Sequence, residues 1–299
     1  MKKFILLTIL FLSSNAFSQD FPSLKSLLGH EIGLEFTRHH EVISFYENLH
    51  NTFENESKIL EYGETNEGRK LILFFMSSEE NVKSLDELRN IHSLRDSSSK
   101  LPIIWLSYNV HGNESSATES AILTAYKLLT EHKDWLKETI VIIDPCLNPD
   151  GRDRYVNFFK QYGSITENID PSSIEHKEPW PGGRFNHYLF DLNRDWAWLT
   201  QVESQQRIKV YNQWLPHVHV DFHEQGYNEP YYFPPAAEPF HEIITDWQRE
   251  FQERIGKNHA KYFDKEGWLY FSKEIFDLLY PSYGDTYPMY NGAIGMTYE

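Results

Sequence analysis

Leu101–Glu114 reads LPIIWLSYNVHGNE, and this stretch decides how the chain is read. Pro102–Tyr108 is almost continuously apolar, the pattern of a strand buried on both faces. His111 and Glu114 follow directly where that strand runs out. Pro216–Gly226, PHVHVDFHEQG, repeats the arrangement: an apolar strand over Val218–Phe222, then His223. Two close ligand-type side chains and one remote one match the layout of a catalytic zinc site, in which three protein groups hold the ion and a fourth position stays open. Read from the residues, the chain is a candidate hydrolase.

Outward from these strands the pattern alternates. Arg69–Met76 and Thr139–Ile143 read as further strands. Helical spacing covers Asn81–Arg95, Ser116–His132, Val202–Trp214 and most of Pro239–Phe263. Ala293–Tyr298 reads as a short last strand, and Asn157–Leu189 as a long loop rich in glycine, proline and aromatics. A loop of that length in a compact domain is more often functional than idle. Strands alternating with helices indicate an α/β sheet flanked by helices. In such sheets ligands gather beyond the carboxyl ends of the strands, where His111, Asn148 and His223 fall.

The N-terminus carries Lys2-Lys3, an apolar run Phe4–Leu12 and a small-x-small site at Ala16-Phe17-Ser18, the pattern of a cleaved export signal over residues 1–18. That apolar run falls short of the roughly 20 residues a membrane span needs. The expectation is a secreted or periplasmic protein without a membrane span. Residues 19–62 read as a polar N-terminal extension with one or two helices around Glu35–His50, and 63–299 as the catalytic domain. The formal charge of −16, more negative once the two lysines are removed, opposes nucleic acid as a partner. The single cysteine, Cys146, excludes an internal disulfide and leaves histidine and carboxylates as the metal-ligand types.

Among 14 histidines, His223 gains weight from Asp221, which shares its strand face and is placed to orient a ligand imidazole. His219 and His217 are its competitors, expected to point into the sheet or pack. Asp191 or Asp195 offers Arg194 an ordinary salt bridge.

The chain resembles the zinc carboxypeptidase family, with the carboxypeptidase A-like fold. The resemblance rests on six motifs in family order: HGNE at 111–114, NPDG at 148–151, LNRDW at 192–196, DFHE at 221–224, YPSYG at 280–284 and GMTYE at 295–299. It implies a mixed, mostly parallel central sheet with helices on both faces. It implies one zinc ion held by His111, Glu114 and His223, and peptide or protein substrates with a free C-terminus. Asn193 and Arg194 resemble the pair that binds the terminal carboxylate, a fork-shaped contact suited to guanidinium. Glu299 resembles the general base, and Tyr280 the mobile tyrosine that closes over substrate, with Tyr283 as the alternative. An arginine that stabilises the oxyanion is also implied; Arg152 and Arg154, just after NPDG, are the candidates.

The family continues beyond the base with a C-terminal helix, so the resemblance implies that 63–299 is a truncated domain with its base at a frayed end. A related zinc amidase, acting on peptidoglycan stem peptides or acyl-amino acids, and a non-catalytic binding protein of the same fold are the competing readings. No charge stands between Tyr287 and Gly292, which favours neutral terminal residues in the substrate.

Overall fold

The computed structural model describes residues 21–93, 101–164, 166 and 168–299; the export signal expected over residues 1–18 lies outside them. Six strands form one sheet. In chain order they are β1 (Ser57–Glu64), β2 (Lys70–Met76), β3 (Ile103–Tyr108), β4 (Ile140–Asp144), β5 (Val218–Phe222) and a C-terminal strand, Ile294–Tyr298. Their spatial order is β1, β2, β4, β3, β5, C-terminal strand. β2 pairs antiparallel with β1 and β4, whereas β4, β3, β5 and the C-terminal strand run parallel. The sheet is therefore mixed and mostly parallel, as expected.

Strand alternation explains why both faces are covered. Along β2, Ile72, Phe74 and Met76 point to one side and Leu73 and Phe75 to the other, and all five are buried. The first set packs against helices His39–Thr52 and Ser116–Thr130; the second packs against Leu85–Ser93 and Val202–Trp214. Near-continuous apolar strands are what a sheet sandwiched between two helical layers requires.

The boundary expected at residue 62/63 falls inside β1. Val42, Phe45, Tyr46 and Leu49 of the preceding helix are fully buried in the core against the sheet, and β1 pairs with β2 along its length. Residues 39–62 thus pack into the same fold as the rest of the sheet. They look polar in sequence because β1 is an edge strand and the helix buries only one face. The long loop also starts later than expected. Asn148 caps the helix Pro149–Tyr162 by accepting from Gly151 N, with proline in the first turn where its missing N–H costs nothing.

Position follows from topology. The chain leaves β3 for β4 on one side, and β5 lies on the other side of β3. This is the switch point where an open α/β sheet leaves a crevice beyond its strand ends. The register across that end aligns Asp144, Ser107, Asp221 and Thr297 in one row. Outside the main sheet, two short parallel ladders pair Tyr231–Tyr232 with Tyr270–Phe271 and Ala237–Phe240 with Asp277–Leu278. They bring residues 270–285 alongside the crevice.

Candidate active site

β3 ends in a turn that delivers both close ligand-type residues to one point. Asn109 adopts a left-handed φ of 61°, a conformation asparagine tolerates better than most residues. Its side chain donates to the carbonyls of His111 and Glu114, each at 2.9 Å. Gly112 is required in this turn, because a Cβ there would collide with the backbone of Gly151 and Arg152. The turn and the NPDG helix start are therefore packed backbone to backbone.

His111, Glu114 and His223 converge. His111 Nδ1 lies 2.6 Å from Glu114 Oε1, and His223 Nδ1 lies 3.0 Å from Glu114 Oε2 and 3.3 Å from His111 Nδ1. The other ring nitrogen of each histidine faces a carboxylate: His111 Nε2 meets Asp191 Oδ1 at 3.1 Å, and His223 Nε2 meets Asp221 Oδ2 at 2.9 Å. In this structure the short Nδ1 contacts to Glu114 are hydrogen bonds from the rings; a neutral imidazole that donates Nε2–H outward would instead turn its Nδ1 lone pair to the shared point, as a metal-binding imidazole needs. Burial opposes charge on Glu114, but the nearby His223 charge and hydrogen bonds from both histidines hold its carboxyl down at about 2. Burial likewise works against a charged His223, yet Asp221 and Glu114 push its pKa well above the usual value. Three carboxylates around two imidazoles draw positive charge, and one carboxylate with two imidazole nitrogens is a donor set suited to zinc. His219 is fully buried against Trp196 and Tyr211, and His217 accepts from Ile103 N, so both competitors pack elsewhere.

The cluster opens into a cavity of about 340 Å³ lined also by Arg184, Asn193, Arg194, Tyr283 and Glu299. Asn193 is fixed by accepting from Gly284 N at 2.7 Å. Arg194 stacks on Tyr283, its guanidinium carbon 4.6 Å from the ring centre. Of the two candidate salt-bridge partners, only Asp191 reaches it, and only loosely. Asp195 instead accepts from Thr200 and Gln201, and Asp191 is 3.9 Å away with its nearer oxygen held by Arg184 at 3.0 Å. Glu299 is not frayed: its N–H and carbonyl both bond to Tyr232, at 3.0 and 2.9 Å. Burial raises its carboxyl to about 7, with Glu114 adding to the effect and His223 opposing it.

Three expected residues lie outside the cavity lining. Arg152 is fully buried and donates to Thr37 O, Ser115 O and Glu119, fastening the start of helix Ser116–Thr130 to the N-terminal segment. Arg154 donates to the carbonyls of Gly182, Phe185 and Asn186. Residues 152 and 154 lie on nearly opposite faces of helix Pro149–Tyr162, and each is tied up by its own partners, Arg152 in the core and Arg154 on the loop. Tyr280 accepts from Trp198 Nε1 at 2.6 Å, and Tyr283 is the tyrosine that lines the cavity. The arginine at the cluster is Arg184, 3.2 Å from His111 Nδ1 and 3.5 Å from Glu114. It sits in the long loop, on the very stretch that Arg154 braces. Apart from the length of that loop, no sequence signal marks it.

A second group of ligand-type residues, Glu67, Asp150 and His187, already has a cation: Arg69 bridges Asp150 at 2.8 Å and also pairs with Glu67. Among the described residues, no helix is long and apolar enough to cross a membrane.

The family model for zinc carboxypeptidase matches residues 42–257. Carboxypeptidase 2 of Trichophyton tonsurans is 26% identical over 162 residues, which take in 53% of this chain and 23% of the fungal protein. The chain thus spans about a quarter of that relative. Among solved structures, carboxypeptidase A of Helicoverpa armigera superposes with a TM-score of 0.59 at 18% identity, covering 88% of this chain and 63% of the other. Bovine thrombin-activatable fibrinolysis inhibitor, in complex with tick carboxypeptidase inhibitor, gives 0.61 at 13% identity, covering 89% and 86%. These likenesses show the fold.

Proposed function

The chain belongs to the zinc carboxypeptidase family, and on that premise we propose that it removes C-terminal residues from peptides or proteins, outside the cytoplasm, with one zinc ion held by His111, Glu114 and His223. The observation that carries this reading is Arg194. It is a cavity guanidinium with no close carboxylate of its own, beside Asn193 and on the same cavity as the ligand cluster and Glu299. A carboxylate anchor at that distance from a hydrolytic centre suits a substrate that ends there.

Zinc in this donor set supplies a Lewis acid that polarises a carbonyl and acidifies water. The chain's own groups do the rest. Arg194 and Asn193 bind the terminal carboxylate and fix which bond lies over the cluster. Glu299 takes the proton of the attacking water and returns it to the leaving amine; no covalent intermediate is needed. Arg184 stands beside His111 and Glu114, where a guanidinium stabilises charge developing on the carbonyl oxygen. It replaces Arg152 and Arg154 in that role. Tyr283, stacked against Arg194, is the tyrosine placed to cover the bound terminal residue.

The deciding experiment pairs zinc quantification with hydrolysis of blocked dipeptides whose C-terminus is free or amidated. One zinc per chain and cleavage of the free acids alone are expected. Equal cleavage of the amides would remove the carboxylate clamp and favour the amidase reading.

A further inference from the structure

The loop that presents Arg184 belongs to no sheet ladder, and side chains meet its backbone groups instead. The carbonyl of Gly182 accepts from Arg154 Nη1 at 2.7 Å, the N–H of Gly183 donates to Glu178 Oε1, and the carbonyl of Arg184 accepts from Asn148 Nδ2 at 3.1 Å. The carbonyl of Gly183 is pressed against backbone, where a Cβ on either Gly112 or Gly151 would collide with it. Gly183 therefore sits in the notch between the ligand turn and the start of helix Pro149–Tyr162. Gly182 delivers it there with a left-handed φ of 63°.

Glu178 does more than close this loop on itself. Its second carboxylate oxygen, Oε2, accepts from Asn113 Nδ2 at 3.0 Å. Asn113 is the HGNE residue immediately before Glu114, and the catalytic reading leaves its side chain without a task. One half-buried carboxylate thus joins the residue before Arg184 to the residue before Glu114. The guanidinium of Arg184 reaches His111 Nδ1 at 3.2 Å and Glu114 at 3.5 Å, while its firmer partner, Asp191, lies farther along its own loop. Arg154 and Asn148 tie the loop to helix Pro149–Tyr162 or to its entrance. Among the described residues, the hydrogen bonds that link Gly183 to the ligand turn pass through Glu178.

We propose that Glu178 is a positioning residue: by clipping the loop to Asn113 it holds the Arg184 guanidinium beside the ligand cluster, where charge develops on the carbonyl oxygen. The kinetic role rests on the carboxypeptidase reading; the clip itself rests on geometry. Glutamate suits the task because both of its oxygens accept and both partners here are N–H groups. Glutamine would keep one contact and turn an NH2 group towards a donor.

Two measurements test it. Hydrogen exchange on the metal-free chain reads the loop: E178A should speed exchange of the backbone N–H groups of residues 182–185 by about tenfold or more, with E178Q between the two and the strands of the sheet unchanged. Kinetics of the zinc-loaded chain on blocked dipeptides with a free C-terminus read the coupling. E178A should lower kcat by about tenfold or more, with KM within about twofold and zinc content unchanged, as expected when a transition-state contact is displaced. E178Q should recover part of that loss. In an R184A background, E178A should cost less than about a further twofold, because residues that act through one another are not additive. Equal losses with and without Arg184, or unchanged exchange at 182–185, overturn the proposal while leaving the carboxypeptidase reading intact. An unaltered chain that hydrolyses no peptide defeats that reading and the kinetic role with it. Faster exchange in E178A would then keep the clip, and unchanged exchange would remove it as well.

Discussion

The two walls of the cavity are held in different ways. On the cluster wall nearly every polar atom has a partner: each ligand imidazole has a carboxylate behind it, Asp191 has Arg184, and the turn is pinned by Asn109. The substrate wall keeps its groups free. Arg194 is stacked but nearly unpaired, with 46% of its side chain exposed. A metal-type wall gains from preorganisation, because ligand positions must be fixed before the ion arrives. A substrate wall gains from unmet charge, because the ligand brings the counter-charge. Unequal satisfaction of polar groups thus marks which wall waits for substrate.

Substitutions should follow that division. The largest effect is expected from His223→Ala, with loss of bound zinc and of detectable hydrolysis, whereas His219→Ala keeps its zinc. Metal analysis after dialysis reads both, and zinc retention in the His223 variant would remove it from the ligand set. Next, Glu299→Gln should lower kcat by about 10²–10⁴-fold with zinc content unchanged; a loss below tenfold would place the base elsewhere. On the substrate wall, Arg194→Ala should raise KM by on the order of tenfold or more, as loss of a charge-assisted contact implies. It should also abolish the distinction between free and amidated termini. Behind the cluster, Asp221→Asn should weaken zinc binding about 10–100-fold in a chelator competition, and unaltered affinity would deny Asp221 an orienting role.

The smallest effect is one of pH. Burial raises the carboxyl of Glu299 to about 7, and a base must be ionised to act. Activity should therefore fall as pH drops, with the midpoint of that fall no higher than about 7, since a bound dication pulls the carboxyl down. The kcat/KM profile reads it. The same fall persisting in the residual activity of Glu299→Gln would assign it to another group.

How far the sequence could be read varies between regions in the same way. β3 and β5 were legible because a strand buried on both faces leaves a continuous apolar run, and the ligand-type residues stood where those runs stopped. The helix His39–Thr52 and β1 were not. An edge strand and a one-faced helix alternate polar with apolar, and nothing local tells them from an extension. The arginines divide likewise. Arg194 was found because its neighbours form a motif. Arg184 lines the cavity although no motif marks it, and Arg152 and Arg154 do not, because sequence proximity to NPDG says nothing about which partners a side chain meets in the fold. Arg152 is locked in the core by Thr37, Ser115 and Glu119, and Arg154 braces the loop that presents Arg184.

By itself the sequence determined the sheet with helices on both faces, the family, and that His111, Glu114, His223, Asn193, Arg194 and Glu299 belong together, as the cavity lining bears out. Those properties are written in short-range pattern: strand periodicity, turn chemistry and motif order. The tertiary structure decided which arginine and which tyrosine face the cavity, and that Glu299 is anchored by Tyr232. Those depend on contacts between residues far apart in the chain, whose partners and burial exist only once the sheet, its helices and the long loop are packed together.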